Sequence, residues 1–256
     1  MNKTIFITGA TSGFGEACAR KFAAAGGYRL IITGRRGDRL EALKHELEKN
    51  TSGQPAQVLP LVFDVRDKAA VAAAIAGIPE AWRRVDLLLN NAGLAAGRDF
   101  FDEACLDDWE MMIDTNLKGL LYVTKAVLPL MIPTGGGHII NLGSVAAKEI
   151  YEKGNVYCGT KAAVDAISHS MRIDLLRHRI KVTAIHPGAA ETEFSLVRFK
   201  GDEGQAQKIY EGYTPLRAED VADAIFYCTS LPPHVCINDL VMTCTAQADA
   251  IYFHKG

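Results

Sequence analysis

"TGATSGFG", residues 8–15, follows the short apolar run Thr4–Thr8 and opens a stretch with helical patterning over Gly13–Ala25. A strand that runs through a glycine-rich turn into a helix presents backbone N–H groups and the positive end of the helix dipole at one point, which is an anion site. Gly9 suits the turn, Gly13 would let backbone N–H groups meet a pyrophosphate, and Gly15 would let helix and strand pack closely, with Thr11, Ser12 and Phe14 completing the loop. The spacing is G-x-x-x-G-x-G rather than G-x-G-x-x-G, and a glycine-rich turn without ligand is the alternative reading.

Working outward, further strand-like runs occur at Arg29–Thr33, Val58–Val62, Val85–Leu89, His138–Asn141, Lys181–Ile185 and Asp239–Thr243. Helical patterns lie between them at Asp38–Lys49, Lys68–Ala76, Leu106–Met131, Asn155–Arg177 and Ala218–Ser230. Alternating strand and helix predicts an α/β fold: one Rossmann-type, doubly wound parallel sheet of about seven strands with helices on both faces. Continuously apolar strands such as "VDLLLN" suit burial on both faces. No repeat or linker divides residues 1–256, so a single domain is expected, with a less regular insert at 192–214.

The 256 residues carry 48% hydrophobic and 23% charged side chains and a formal net charge of -2, an ordinary globular balance without the basic field that nucleic acid requires. No stretch of about 18 apolar residues appears, so neither membrane insertion nor secretion is expected. The six cysteines show no C-x-x-C pair and no ligand spacing with histidines; no metal is expected, and a reducing cytoplasm fits best. Cys158 reads as a packed thiol.

The second strand ends at Gly34, where an NAD-selective site would hold a carboxylate for the ribose hydroxyls. Arg35 and Arg36 follow instead, and guanidiniums suit a 2'-phosphate, so NADP is the expected cofactor; a solvated basic turn is the alternative. Tyr157 and Lys161 stand four residues apart in a helical run, close enough for an ammonium to bias a phenol, although a surface tyrosine lying on a lysine stem has the same spacing.

Together "TGATSGFG", "DV" at 64–65, "NNAG" at 90–93, Asn116, Ser144, Tyr157 with Lys161, and "PG" at 187–188 resemble the short-chain dehydrogenase/reductase family over nearly the whole chain. The resemblance implies that Asp64 and Val65 cover the adenine, that Asn91, Ala92 and Gly93 line the adenosine ribose, and that Pro187, Gly188 and Thr192 border the nicotinamide. It implies Tyr157 as proton donor and acceptor, Lys161 as the group that lowers its pKa and holds the nicotinamide ribose, Ser144 as a hydrogen-bond donor to the substrate oxygen, and Asn116 as the residue that positions Lys161. A four-helix dimer interface and a homotetramer are expected on the same ground.

Within that family, "TGATSGFGE", "IDTN", "AVLP", "GNVY", "TEFS", "VRFKGD" and "LPPHVCIN" resemble the NADP-dependent 3-hydroxy acid dehydrogenases that act on serine and L-allo-threonine, with sulfoacetaldehyde reductases as close relatives. Both imply a small anionic substrate, and a buried anion needs a cation or several donors. Arg198 in the insert is the first candidate, with a surface salt bridge to Asp202 or Glu203 as its alternative reading. Lys148 and Tyr151 in the loop after Ser144 are the others. The charge of that loop, and the short polar segment 189–193, depart from the serine-dehydrogenase pattern and favour a sulfonate, hence reduction of sulfoacetaldehyde to isethionate. Serine, L-allo-threonine or malonic semialdehyde as substrate is the second expectation, followed by a neutral ketone and by a non-catalytic NADP-binding regulator.

Overall fold

The structure, a computed structural model, describes residues 2–49 and 55–256. Seven parallel strands form one sheet in the order β3-β2-β1-β4-β5-β6-β7. They are β1 (Lys3–Ile7), β2 (Tyr28–Gly34), β3 (Gln57–Val62), β4 (Leu87–Asn90), β5 (Gly137–Leu142), β6 (Ile180–Pro187) and β7 (Asp239–Met242). The expected architecture is the observed one, with strand ends displaced by at most two residues.

Period-two geometry explains the apolar strands. Ile5 and Ile7 point to one face and Phe6 to the other, and all three are fully buried. On the first face α1 (Gly13–Ala25), α2 (Gly37–Lys49) and α9 (Ala218–Ser230) contribute Cys18, Phe22, Leu43, Val221 and Ile225. On the second face α3 (Lys68–Ala76) and α5 (Leu120–Met131) contribute Val71, Ile75, Val123 and Val127. Each fully buried Leu, Ile or Phe contributes on the order of 2 kcal/mol of transfer free energy, so these two layers hold the sheet between helices and leave its carboxyl edge free to carry loops.

Two helical expectations change in detail. The run Leu106–Met131 is not one helix: α4 (Leu106–Ile113) and α5 are joined by a π-helical turn at Asp114–Gly119. The apolar period passes through that turn, which is why pattern alone reads it as continuous. The run Asn155–Arg177 ends as α6 (Asn155–Asp174) followed by a 3-10 turn at Leu176–His178. The insert is more regular than expected, with α7 (Glu193–Arg198) and α8 (Glu203–Lys208) capped by Thr192 and Asp202. No described helix is long and apolar enough to cross a membrane.

Candidate active site

All the loops that follow β1 to β6 leave from the same edge of the sheet, because the strands are parallel. The glycine-rich loop follows β1, the arginines follow β2, Asp64 follows β3, "NNAG" closes β4, Ser144 follows β5, and Pro187 with Gly188 ends β6. At that edge lies a cleft of about 1060 Å³ lined by Phe14, Ser144, Tyr151, Tyr157, Gly188 and Arg198 among others.

The glycines of the loop have separate reasons. Gly9 and Gly13 adopt φ of 67° and 57°, the left-handed region that glycine enters without strain. Gly15 is helical, but a Cβ there would strike the Gly9 carbonyl and the Asn91 amide. Asn91 is accordingly structural as much as lining: its amide donates to the Thr8 and Gly9 carbonyls at 2.8 and 3.1 Å. The Thr8 hydroxyl accepts from the Asn91 and Ala92 N–H groups, each at 2.9 Å, so the β1 and β4 loops are one unit. Gly13 faces Thr192, whose methyl and hydroxyl stand 3.6 to 3.9 Å from where a Cβ would be.

Arg36 reaches across this loop. Its Nη2 donates to Thr11 Oγ1 and Ser12 Oγ, both at 2.9 Å, and its Nη1 meets Glu193 Oε2 at 3.0 Å. Arg39, which the sequence did not single out, joins it by donating to Glu193 Oε1 at 2.7 Å. Arg35 is 60% exposed and lies 3.8 Å from Asp64. Asp64 itself is held by Arg66, whose Nη2 donates at 2.7 Å, and Val65 packs against Gly119 of the π-helical turn. Hydroxyls, open-φ glycines and a paired set of guanidiniums are the donor chemistry a dinucleotide carrying a further phosphate needs, and the residues present fit one.

The four residues expected to carry the proton chemistry come together around β5 and α6. Tyr157 and Lys161 are buried on α6, at 7% and 6% exposure. Ser144 caps a short 3-10 turn, its Oγ accepting from the Ala146 N–H at 3.1 Å. Asn116 sits in the π-helical turn, where its side chain both accepts from the Leu94 N–H and donates to the Leu94 carbonyl at 2.8 Å. It also donates to Thr160 Oγ1 at 3.1 Å, and Thr160 precedes Lys161, a link that spacing alone does not reveal. The extra residue of the π turn is what rotates Asn116 to this position.

In this structure the Lys161 Nζ donates to the Leu142 carbonyl at 2.8 Å and lies over the Tyr157 ring, 6.0 Å from its centroid. Burial lowers the Lys161 ammonium to about 8. Burial likewise pushes the Tyr157 phenol up, with Tyr151 adding to the rise, while Ser144 and Arg198 pull it down.

Arg198 is 8% exposed, and its Cζ lies 5.5 Å from the Tyr157 ring centroid and 5.7 Å from that of Tyr151. It donates to Tyr151 Oη at 3.1 Å and to the Gly97 carbonyl at 3.3 Å. Among the described residues it has no carboxylate partner, so the expected alternative of a pair with Asp202 or Glu203 is not observed; Asp202 instead caps α8. The expectation for Lys148 needs correction. Its Nζ lies 2.9 Å from Asp165 and also pairs with Asp239, so it turns away from the cleft to satisfy two carboxylates. Gln247, which the sequence did not single out, is 4% exposed and accepts from the Ala189 N–H at 2.8 Å, bracing the loop after Gly188. Cys158 is buried against Tyr157 and Met112, a packed thiol.

A model of the family described as short chain dehydrogenase matches residues 3–202. The chain belongs to that family. As a short-chain dehydrogenase it is an oxidoreductase that acts on a CH–OH group. It is 48% identical over 247 residues to an NADP-dependent 3-hydroxy acid dehydrogenase of Salmonella typhi, covering 96% of each chain. It is 49% identical over 249 residues to sulfoacetaldehyde reductase 2 of Chromohalobacter salexigens, covering 97% of this chain and 96% of that one. Among solved structures, the closed form of a serine dehydrogenase complexed with NADP+ superposes with a TM-score of 0.90 at 45% identity, over 99% of this short-chain dehydrogenase and 100% of the other.

Proposed function

We propose that the protein interconverts a short anionic aldehyde and its hydroxy compound with NADP(H). The observation that carries this reading is Arg198, a buried guanidinium with no carboxylate partner among the described residues, 5.5 Å from the ring of the tyrosine that would move the proton. A buried charge is costly unless paired, so the cleft is completed by an anion. A neutral ketone would leave that charge unanswered, and the intact Asn116, Ser144, Tyr157 and Lys161 set argues against a non-catalytic regulator. The cofactor is NADP(H): β2 ends at Gly34 without an acid, and Arg36 and Arg39, both paired with Glu193, lie beside Thr11 and Ser12 of the glycine-rich loop.

When bound, the nicotinamide accepts or supplies the hydride. Tyr157 gives or takes the proton at the substrate oxygen, and Ser144 donates a hydrogen bond to that oxygen. Lys161 and Asn116 hold the geometry behind them, and Arg198 with Tyr151 fixes the anion, so that the reacting carbon is placed before any bond changes. The segment 192–214 acts as a lid, since α7 carries both Glu193 on the phosphate side and Arg198 on the substrate side.

With Lys148 withdrawn, the donors beside Tyr157 that we assign to the anion are the buried Arg198 guanidinium and the half-buried Tyr151 phenol, a pair that suits the two oxygens of a carboxylate better than the three of a sulfonate. The 3-hydroxy acid reading is therefore placed first and sulfoacetaldehyde reduction second, supported by a relative of nearly equal identity. The test is kcat/KM for NADP reduction with L-serine, L-allo-threonine, 3-hydroxypropionate and isethionate, and for NADPH oxidation with malonic semialdehyde and sulfoacetaldehyde. A preference of about a hundredfold, near 2.7 kcal/mol, decides between the two anions. Turnover of neutral ketones alone would sink both.

A further inference from the structure

Behind Ser144, on the side away from the cleft, lies a charged cluster that the chemistry above does not use. His186 of β6 has no exposed surface. Its Nδ1 is 3.3 Å from the Ser144 N and 3.1 Å from the Ser144 carbonyl oxygen, and its ring fills the space that a side chain on Gly143 would need. Its Nε2 points the other way, 3.3 Å from Asp165 Oδ1 of α6 and 3.1 Å from Asp239 Oδ1 of β7. From the loop after Ser144, Lys148 Nζ bridges the outer oxygens of the same two carboxylates. His169, one turn along α6, reaches Asp165 Oδ1 at 3.6 Å. The other cations of α6 face elsewhere: Lys161 is bonded to Leu142 and Arg172 to the Val182 and Asn238 carbonyls.

One ring nitrogen cannot accept from an N–H and donate to a carbonyl at the same time. With a single proton on Nε2, the nitrogen that faces the two carboxylates at ion-pair distance, Nδ1 is an acceptor and holds the Ser144 N–H. With a second proton, Nδ1 becomes a donor and holds the Ser144 carbonyl. The two arrangements pull opposite ends of the Ser144 peptide units, next to a glycine that offers no side-chain resistance.

We propose that His186 is a positioning residue for Ser144, and that gain of a proton by His186, set by Asp165, Asp239 and Lys148, exchanges its hold on the Ser144 N–H for one on the Ser144 carbonyl and turns the Ser144 hydroxyl away from the reacting oxygen. Asp165 and Asp239 are 18% and 35% exposed, so solvent reaches the cluster although it does not reach the ring. Burial, with Lys148 next, holds the imidazole below its ordinary range against the opposing pull of Asp239 and Asp165. The working state is thus the neutral one, and activity falls on the acid side.

This inference rests on the role given to Ser144 under the proposed function. The experiment is the pH profile of kcat from pH 5 to 8, with NADPH in excess, for the full-length enzyme and for Lys148→Met and Asp239→Asn. Removing the ammonium should move the acid limb to higher pH, and removing the carboxylate should move it to lower pH, each by on the order of one pH unit and without change in NADPH affinity. A structural loosening would not move the limb in opposite directions. His186→Asn places an amide near Nδ1 that takes no proton, and should flatten the limb. A limb that stays in place in both charge variants, that moves the same way in both, or that is absent from Lys148→Met overturns the proposal. Ser144→Ala separates the two levels: retained turnover would defeat the active-site reading itself, whereas lost turnover with an unmoved limb in the charge variants defeats only the role of His186.

Discussion

Glu193, the first residue of α7, meets the guanidinium of Arg36 at 3.0 Å and so ties the segment carrying Arg198 to the basic turn after β2. The ends proposed for the phosphate and the substrate are joined through one short helix.

Arg36 should therefore discriminate between cofactors. Arg36→Ala is expected to weaken NADPH by at least about tenfold, the scale of one charge-assisted hydrogen bond near 1.5 to 3 kcal/mol, and to leave NADH nearly unchanged. Arg35→Ala should have the smaller effect, because that side chain is largely exposed and only 3.8 Å from Asp64. Fluorescence titration with both nucleotides checks this, and equal losses for NADPH and NADH would show that Arg36 does not read the extra phosphate.

Arg198→Ala should raise KM for anionic substrates on the order of a hundredfold, with a smaller change in kcat, since it removes binding that is common to ground and transition states. Arg198→Lys should recover only part, because an ammonium lacks the planar fork. Steady-state kinetics on both variants provides the check; a KM that does not move in Arg198→Ala would remove the residue from the substrate site.

Tyr157→Phe keeps the ring that packs against Phe194 at 5.7 Å and deletes only the hydroxyl. Turnover should fall by at least about 10²-fold, the lower bound for a positioned acid or base, while NADPH binding stays intact. Single-turnover absorbance of the nicotinamide separates the two quantities, and a mutant that turns over at the parent rate is incompatible with proton transfer from this phenol.

His138 gives the fold an acid sensitivity of its own. It is buried on β5, with Nε2 2.7 Å from the Thr183 hydroxyl, and burial followed by Lys181 lowers it from 6.5 to about 3. Below the ordinary value the unfolded chain binds a proton that the folded chain refuses, so stability is full above about pH 6.5 and is lost as the pH falls toward 3. The loss between pH 7 and pH 4 is on the order of 3 kcal/mol. Urea unfolding at the two pH values should show His138→Gln losing less stability than the parent; an equal loss in both would assign the acid sensitivity to other groups.

The amino-acid sequence by itself determined the fold and the choice of cofactor. Alternation of apolar runs with helical periods is a local signal, and buried parallel strands with two covered faces are its direct consequence, so seven strands and their helices were legible to within a few residues. The glycines at 9, 13 and 15, the absence of an acid after β2, and the order of the blocks through Lys161 were legible for the same reason, each being a requirement that a short stretch of backbone must meet.

What only the tertiary structure decided lies in side-chain partners distant in the chain. Lys148 reads as a pocket cation until Asp165 and Asp239, 17 and 91 residues away, are seen to claim it. Arg39 draws no notice in the sequence until Glu193, 154 residues on, is seen beside it. The break at Asp114–Gly119 is invisible to an apolar period that continues through it, yet it is what turns Asn116 toward Leu94 and Thr160. Charges choose partners by distance and burial in three dimensions, and neither quantity is written in spacing along the chain.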